Sequence, residues 1–216
     1  MKYSTLSTPI FLIFGLLCTP AKSQIDYCLK QYSNYDTIST NGNFIKYRLK
    51  FDYVTDYHIK NSYILLEYGN KSFHRSIPDK YECQEADSRI PKFEWDTHDF
   101  IVLRYGCGSP CWGILVLPLD SVKPVRNLMY EMAFDSDNNL VVYLDCENYN
   151  SLIIENLKTY QARRIEFPFK TDHGEFIGSW IDSISIKDKK LCYQYSDPND
   201  DNKEKPHTVV KIDINP

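Results

Sequence analysis

The sequence predicts an all-β protein built of antiparallel meanders, each about 40 residues long. Three observations lead there. Apolar and polar residues alternate with period two from Ile45 to Tyr53, as in a strand with one dry and one wet face. Short apolar runs bounded by turn residues recur along the rest of the chain. No stretch carries a strong helical stripe, and Ile25 to Tyr32 is the best, very short, helix candidate.

The chain begins with Met1 and Lys2, an apolar run from Pro9 to Leu17, and a polar end, Thr19 to Ser23, with Ala21 and Ser23 at the positions a signal peptidase reads. Residues 1–23 are therefore expected to be a cleavable secretory signal, because the apolar run falls short of the roughly 20 residues of a membrane span. Lipidation at Cys18 would need a small residue before it, and Leu17 is bulky. Residues 24–216 are expected to form one β-rich domain, secreted or periplasmic, with no membrane span after cleavage.

In that domain Ile45, Tyr47, Leu49, Phe51 and Tyr53 alternate with Lys46, Arg48, Lys50 and Asp52. Ser62 to Tyr68 follows, then the turn Gly69-Asn70-Lys71 and a strand from Ser72 to Ile77. Asn70-Lys71-Ser72 is also a glycosylation acceptor if the host is a eukaryote. Phe100 to Tyr105 and Ile114 to Leu117 flank a loop holding Cys107 and Cys111. Leu140 to Leu144 and Leu152 to Ile154 flank a polar loop, and Ser183 to Ile186, Leu191 to Tyr195 and Val209 to Ile214 complete the set.

Six cysteines follow the signal: Cys28, Cys83, Cys107, Cys111, Cys146 and Cys192. An even number in an exported chain suits a disulfide framework, although sequence does not choose the partners. Cys107 and Cys111 are the expected pair, since Gly108-Ser109-Pro110 makes a tight reversal between them. Zinc would need four ligands, and a second cysteine pair or nearby His is missing. Redox catalysis normally uses two intervening residues beside a helix start, against three here between strands.

The remaining chemistry is sparse. The formal charge of -4 offers no basic face for nucleic acid. There is no His-Glu-x-x-His, Gly-x-Ser-x-Gly or phosphate loop, so no catalytic residue, metal ligand or cofactor is assigned. Of His58, His74, His98, His173 and His207, none falls in a metal-binding pair at i, i+4 on a helix, and Asp172-His173-Gly174-Glu175, with two carboxylates beside a His, reads as a surface loop. Asp135 to Asn139 places oxygens at alternating positions, as calcium loops do, but lacks the central Gly and distal Glu, so it reads as a polar turn. Asp197 to Asn202 reads the same way. Trp95 and Trp180 are expected in the core. Trp112, beside the constrained cysteine loop, is the candidate binding residue, because a rigid exposed aromatic gives contact area at small entropic cost.

Phe100 to Leu103 matches Leu140 to Tyr143 at an offset of 40, and Leu119-Asp120-Ser121 matches Leu157-Lys158-Thr159 at an offset of 38. Each unit runs strand, loop, strand, turn, and then a strand with Arg126, or with Arg163 and Arg164. In this pattern the chain from Phe93 to Ile214 resembles β-propeller blades, with units near 93–134, 135–169 and 177–214. The resemblance implies a small propeller-like stack; a β-sandwich is the alternative. The loop Gly106-Cys107-Gly108-Ser109-Pro110-Cys111 is similar to a hairpin of uncharacterised exported bacterial proteins, over about 20 residues, and this similarity implies no activity. The expected function is a non-catalytic interaction domain for a protein or glycan, with a secreted hydrolase using an acidic or calcium-assisted site as the alternative.

Overall fold

The computed structural model describes residues 35–55, 58–77, 81–82, 89–147, 150–167, 177–196 and 208–214. The segments expected to be a signal and a short helix lie outside these residues, as do Cys28, Cys83, His173, His207 and the loop Asp197 to Asn202. The fold is all-β, in four antiparallel sheets whose strands follow chain order. The first sheet contains β1 (Thr37–Ile38), β2 (Phe44–Thr55), β3 (His58–Gly69) and β4 (His74–Ser76), with β5 (Tyr81–Glu82) also on β3. The second contains β6 (Lys92–Asp96), β7 (Phe100–Gly108), β8 (Cys111–Pro118) and β9 (Arg126–Met129). β10 (Glu131–Asp135), β11 (Leu140–Leu144), β12 (Ser151–Asn156) and β13 (Ala162–Glu166) make the third. A 3-10 turn at Ile177–Trp180 leads into the fourth, β14 (Ile181–Lys187), β15 (Lys190–Tyr195) and β16 (Thr208–Asp213).

Side-chain alternation explains how the sheets stack. Residues directly opposite across a ladder share a face, so Ile101, Leu103, Leu115 and Leu117 point one way from the second sheet. They pack on Ile45, Tyr47, Ile64, Leu66 and Tyr68 of the first. The opposite face carries Phe100, Val102, Ile114, Val116 and Leu128, which meet Val141 and Leu157 of the third sheet. The far face of the third sheet, with Leu140, Val142, Leu144, Leu152 and Ile154, packs on Leu191, Tyr193 and Tyr195 of the fourth. A sheet covered on both sides needs apolar residues at every position, hence the unbroken runs Phe100 to Leu103 and Ile114 to Leu117. In β2 the residues between the buried Ile45 and Tyr47 and beyond are Lys46, Arg48 and Lys50, none of them buried, and that strand alternates.

The internal repeat has a backbone counterpart. Leu119 N donates to Asp99 O (2.9 Å), Leu157 N to Asn139 O (2.8 Å) and Ile214 N to Lys189 O (2.7 Å). Each bond ties the end of a sheet's third strand to the turn between its first two. The first strands also share an irregularity, a bulge between Phe93 and Trp95, Glu131 and Ala133, and Ile181 and Ser183. Bulges sharpen the local twist of the strand that carries them.

Candidate functional site

At one end of the first two sheets, three turns converge on a polar cleft of about 340 Å³. The β1–β2 turn closes with Ser39 N donating to Asn43 O (2.8 Å) and Gly42 N to Ser39 O (3.0 Å). Gly42 has φ 76°, a left-handed conformation that glycine adopts without a steric cost. In the β3–β4 turn, Asn70 Oδ1 accepts from Ser72 N (2.9 Å), Ser72 Oγ (3.0 Å) and Phe73 N (3.0 Å). Such a side-chain-capped turn is a common use of asparagine. Gly69 is required just before it, because a Cβ there would lie 2.0 Å from Phe73 O. In the β6–β7 turn, Thr97 Oγ1 accepts from Asp99 N (3.1 Å) and Phe100 N (3.3 Å), which holds His98 at the rim.

Asp96, at the end of β6, ties two of these turns together, the β1–β2 turn and the β6–β7 turn. Its Oδ2 accepts from Ser39 Oγ and from Asn43 Nδ2 (2.6 Å), and its Oδ1 accepts from Asn41 Nδ2 (3.1 Å). Asn43, only 3% exposed, also donates to Thr97 O (2.7 Å). A buried amide hydrogen-bonded in this way rigidifies its surroundings, and leaving it unpaired would cost about 1–3 kcal/mol. Three neutral donors occupy the Asp96 carboxylate, so it holds the β1–β2 turn against the end of β6. The lining shows Thr40, Asn41, Asn43, Lys71, Ser72 and His98, among others, and no carboxylate.

The opposite end of β7 and β8 carries the residues singled out in the sequence. Cys107 and Cys111 form a disulfide, with Cα atoms 5.0 Å apart. Trp112 is half-buried: its indole N–H donates to Glu131 O (2.6 Å) and its ring meets Tyr130 edge-on at 5.4 Å. The Tyr105 ring crosses Gly113 to reach β9, where its hydroxyl donates to Asn127 Oδ1 (2.6 Å). A Cβ on Gly113 would come within 2.8 Å of that hydroxyl. Glu131, 3% exposed, has Arg104 Nη2 2.8 Å from its Oε2 as its ion-pair partner. Burial pushes the Glu131 carboxyl pKa up, Glu94 adds to the rise and Arg104 opposes it.

Cys146, exposed in the β11–β12 loop, and Cys192, half-buried on β15, carry free thiols. These two of the six cysteines thus do not pair within the chain. Burial, then the charge of Asp145, pushes the Cys146 thiol pKa up, the opposite of what a reactive thiolate needs. Trp95 is buried against Phe100 and stacks on Phe134 at 5.5 Å, while Trp180 packs beside the third and fourth sheets. Asp135 to Asn139 is the β10–β11 turn, with both Asp135 oxygens taken by the backbone and side chain of Asn138. Among the described residues no group of three or more His, Cys, Asp or Glu side chains could hold a metal ion. No helix among them is long and apolar enough to cross a membrane.

The cleft lay outside the sequence-level candidates. Asn70-Lys71-Ser72 and His98 are visible as a turn and a lone histidine, and nothing local says that residues 41, 43, 70 and 98 meet. No protein-family model matches the chain, and no curated protein matches it.

Proposed function

We propose that the chain is an exported, non-catalytic binding domain that holds a glycan or protein ligand at the cleft between its first two sheets. The observation that carries this reading is the convergence of three turns on a concave, polar surface, two of them tied to each other through Asn43 and Asp96. Ligand sites are concave, with a few fixed polar groups that set orientation. The lining holds no carboxylate, and the adjoining Asp96 is engaged by three donors, which suits a scaffold better than an acid–base pair. Export is supported by the form of residues 1–23 and by the Cys107–Cys111 disulfide, since disulfides persist in oxidising compartments. Four meanders packed in chain order are consistent with propeller-like blades, and with the likeness of the cysteine hairpin to those of exported bacterial proteins. Trp112 is the candidate contact at the opposite end, where it would serve a second, protein partner.

Screening the oxidised protein against glycan and peptide arrays tests the reading. Binding that falls at least tenfold in Asn41→Ala/Lys71→Ala, with unchanged unfolding midpoint, is the expected result. Binding indifferent to those changes, or turnover of the bound glycan into shorter products, would reject it.

A further inference from the structure

The hydrogen-bond partners around the cleft dictate which atoms its amides present to a ligand. Asp96 can only accept, so Asn41 and Asn43 must turn their Nδ2 groups toward it. Asn43 spends its second N–H on Thr97 O. Asn43 is buried and serves as the brace, whereas Asn41 is exposed and lines the cleft with its Oδ1 as the free end. Asn70 is oriented the other way, because its Oδ1 takes three donors from Ser72 and Phe73, which leaves Nδ2 as its free end. One turn thus offers an acceptor and its neighbour offers a donor. A sugar hydroxyl donates and accepts at once, so a pair of adjacent hydroxyls satisfies such a site, whereas a group that only donates or only accepts leaves half of it unpaired.

Charge narrows the class. Among the described residues Lys71 makes no ion pair or hydrogen bond, and neither does His98, although both line the cleft. Among the described residues the Asp96 carboxylate, outside the lining, is engaged by neutral donors and forms no ion pair with Lys71. A ligand carboxylate would give the Lys71 ammonium its counter-charge. His98 supplies the only ring in the lining, so recognition runs through the polar edge of the ligand and not through stacking on its apolar face. The volume of about 340 Å³ lies at the small end of ligand clefts, room for a monosaccharide unit of a longer chain.

We propose that this cleft is a subsite for a sugar acid, a hydroxylated ring bearing a carboxylate such as a uronic acid unit. This deepens the binding-domain reading and rests on it. Asn41 accepts from a ring hydroxyl, Asn70 donates to one, and Lys71 pairs with the carboxylate.

The test is a titration of the isotope-labelled, oxidised protein with a galacturonic acid trimer, the matched neutral galactose trimer, and acetate, followed by amide shifts. The acidic trimer is expected to shift residues 40–43, 70–72 and 98, and to bind at least tenfold more tightly than the neutral trimer. Lys71→Ala should remove that preference and leave the weaker neutral binding in place. Asn70→Asp, which keeps the turn-capping oxygen and replaces the donor, should weaken both trimers at least tenfold. Equal affinity for the two trimers would overturn the sugar-acid assignment while leaving a glycan-binding cleft. Acetate binding as tightly as the acidic trimer would overturn it in favour of a bare carboxylate site. Cleft shifts with array-selected peptides alone would also overturn it and keep the binding-domain reading, whereas no cleft shift with any array-selected ligand would overturn both.

Discussion

Replacing Glu155 should loosen the junction between the second and third sheets more than any single exposed change. Glu155 sits on β12 with its side chain 3% exposed, and it takes three donors. Arg126 of β9 reaches it with both terminal nitrogens, Nη2 at 2.7 Å from Oε2, and the Tyr143 hydroxyl donates to Oε2 at 2.8 Å. The hydrogen bond to Glu155 pushes the Arg126 pKa up. Burial, reinforced by Glu155, pushes that of Tyr143 up. Glu155→Ala strands a guanidinium that is 23% exposed and a phenol with no acceptor. Breaking a buried pair from one side costs about 3–5 kcal/mol. Arg126 keeps some solvent and lies over the Tyr160 ring at 5.1 Å, which places this variant near the lower bound, about 3 kcal/mol. For a domain of this size that is a fall in Tm of about 6–12 °C. Arg126→Ala leaves the more deeply buried carboxylate without its counter-charge, with only the Tyr143 hydroxyl on it, and should cost more. Arg126→Met/Glu155→Leu removes both charges and should recover most of the loss, since an apolar pair avoids the desolvation cost. Urea unfolding at constant m-value, with the double-mutant cycle, measures each term. A loss below about 1 kcal/mol for Glu155→Ala, or a double variant no better than either single, would refute the view that this pair couples the sheets.

Three further outcomes follow from the structure. Glu131 binds its proton more tightly folded than unfolded, so its ionisation costs stability as pH rises from the ordinary carboxyl value through its raised folded value; urea midpoints of Glu131→Gln should fall less steeply over that window than those of the parent, and parallel slopes would contradict this. The two-residue β14–β15 turn holds Asp188 at φ 48° and Lys189 at φ 57°, so Lys189→Gly should remove a left-handed strain and raise stability by about 1 kcal/mol in thermal unfolding. Cys107→Ser/Cys111→Ser opens a loop of sequence separation 4 and should lower stability by about 2 kcal/mol on chain-entropy grounds, with ligand binding at the far cleft unchanged by calorimetry.

Strands β2, β7, β8, β11 and β15 were legible because their patterns are local: alternation where one face is covered, continuous apolar runs where both are. The first strands of the second and third sheets were not. Lys92 to Asp96 and Glu131 to Asp135 each contain a bulge, and one extra residue breaks the period of two on which the reading depends. The Cys107–Cys111 pair was legible for a similar local reason, since three intervening residues confine the two sulfurs to one hairpin. The free thiols of Cys146 and Cys192 were not, because pairing across sheets depends on distances that sequence order does not carry.

Sequence alone determined the fold class, most strand positions and the cysteine hairpin, all consequences of side-chain alternation and turn chemistry among near neighbours. Tertiary structure decided which faces meet, which charge is buried, and that Asn41 and Asn43 share one carboxylate with Ser39 across 53 to 57 residues of chain. The reason is physical: a strand's pattern is set by the solvent on its two faces, whereas the cleft exists only after the facing apolar surfaces of the first two sheets have been buried and have brought the turns into register.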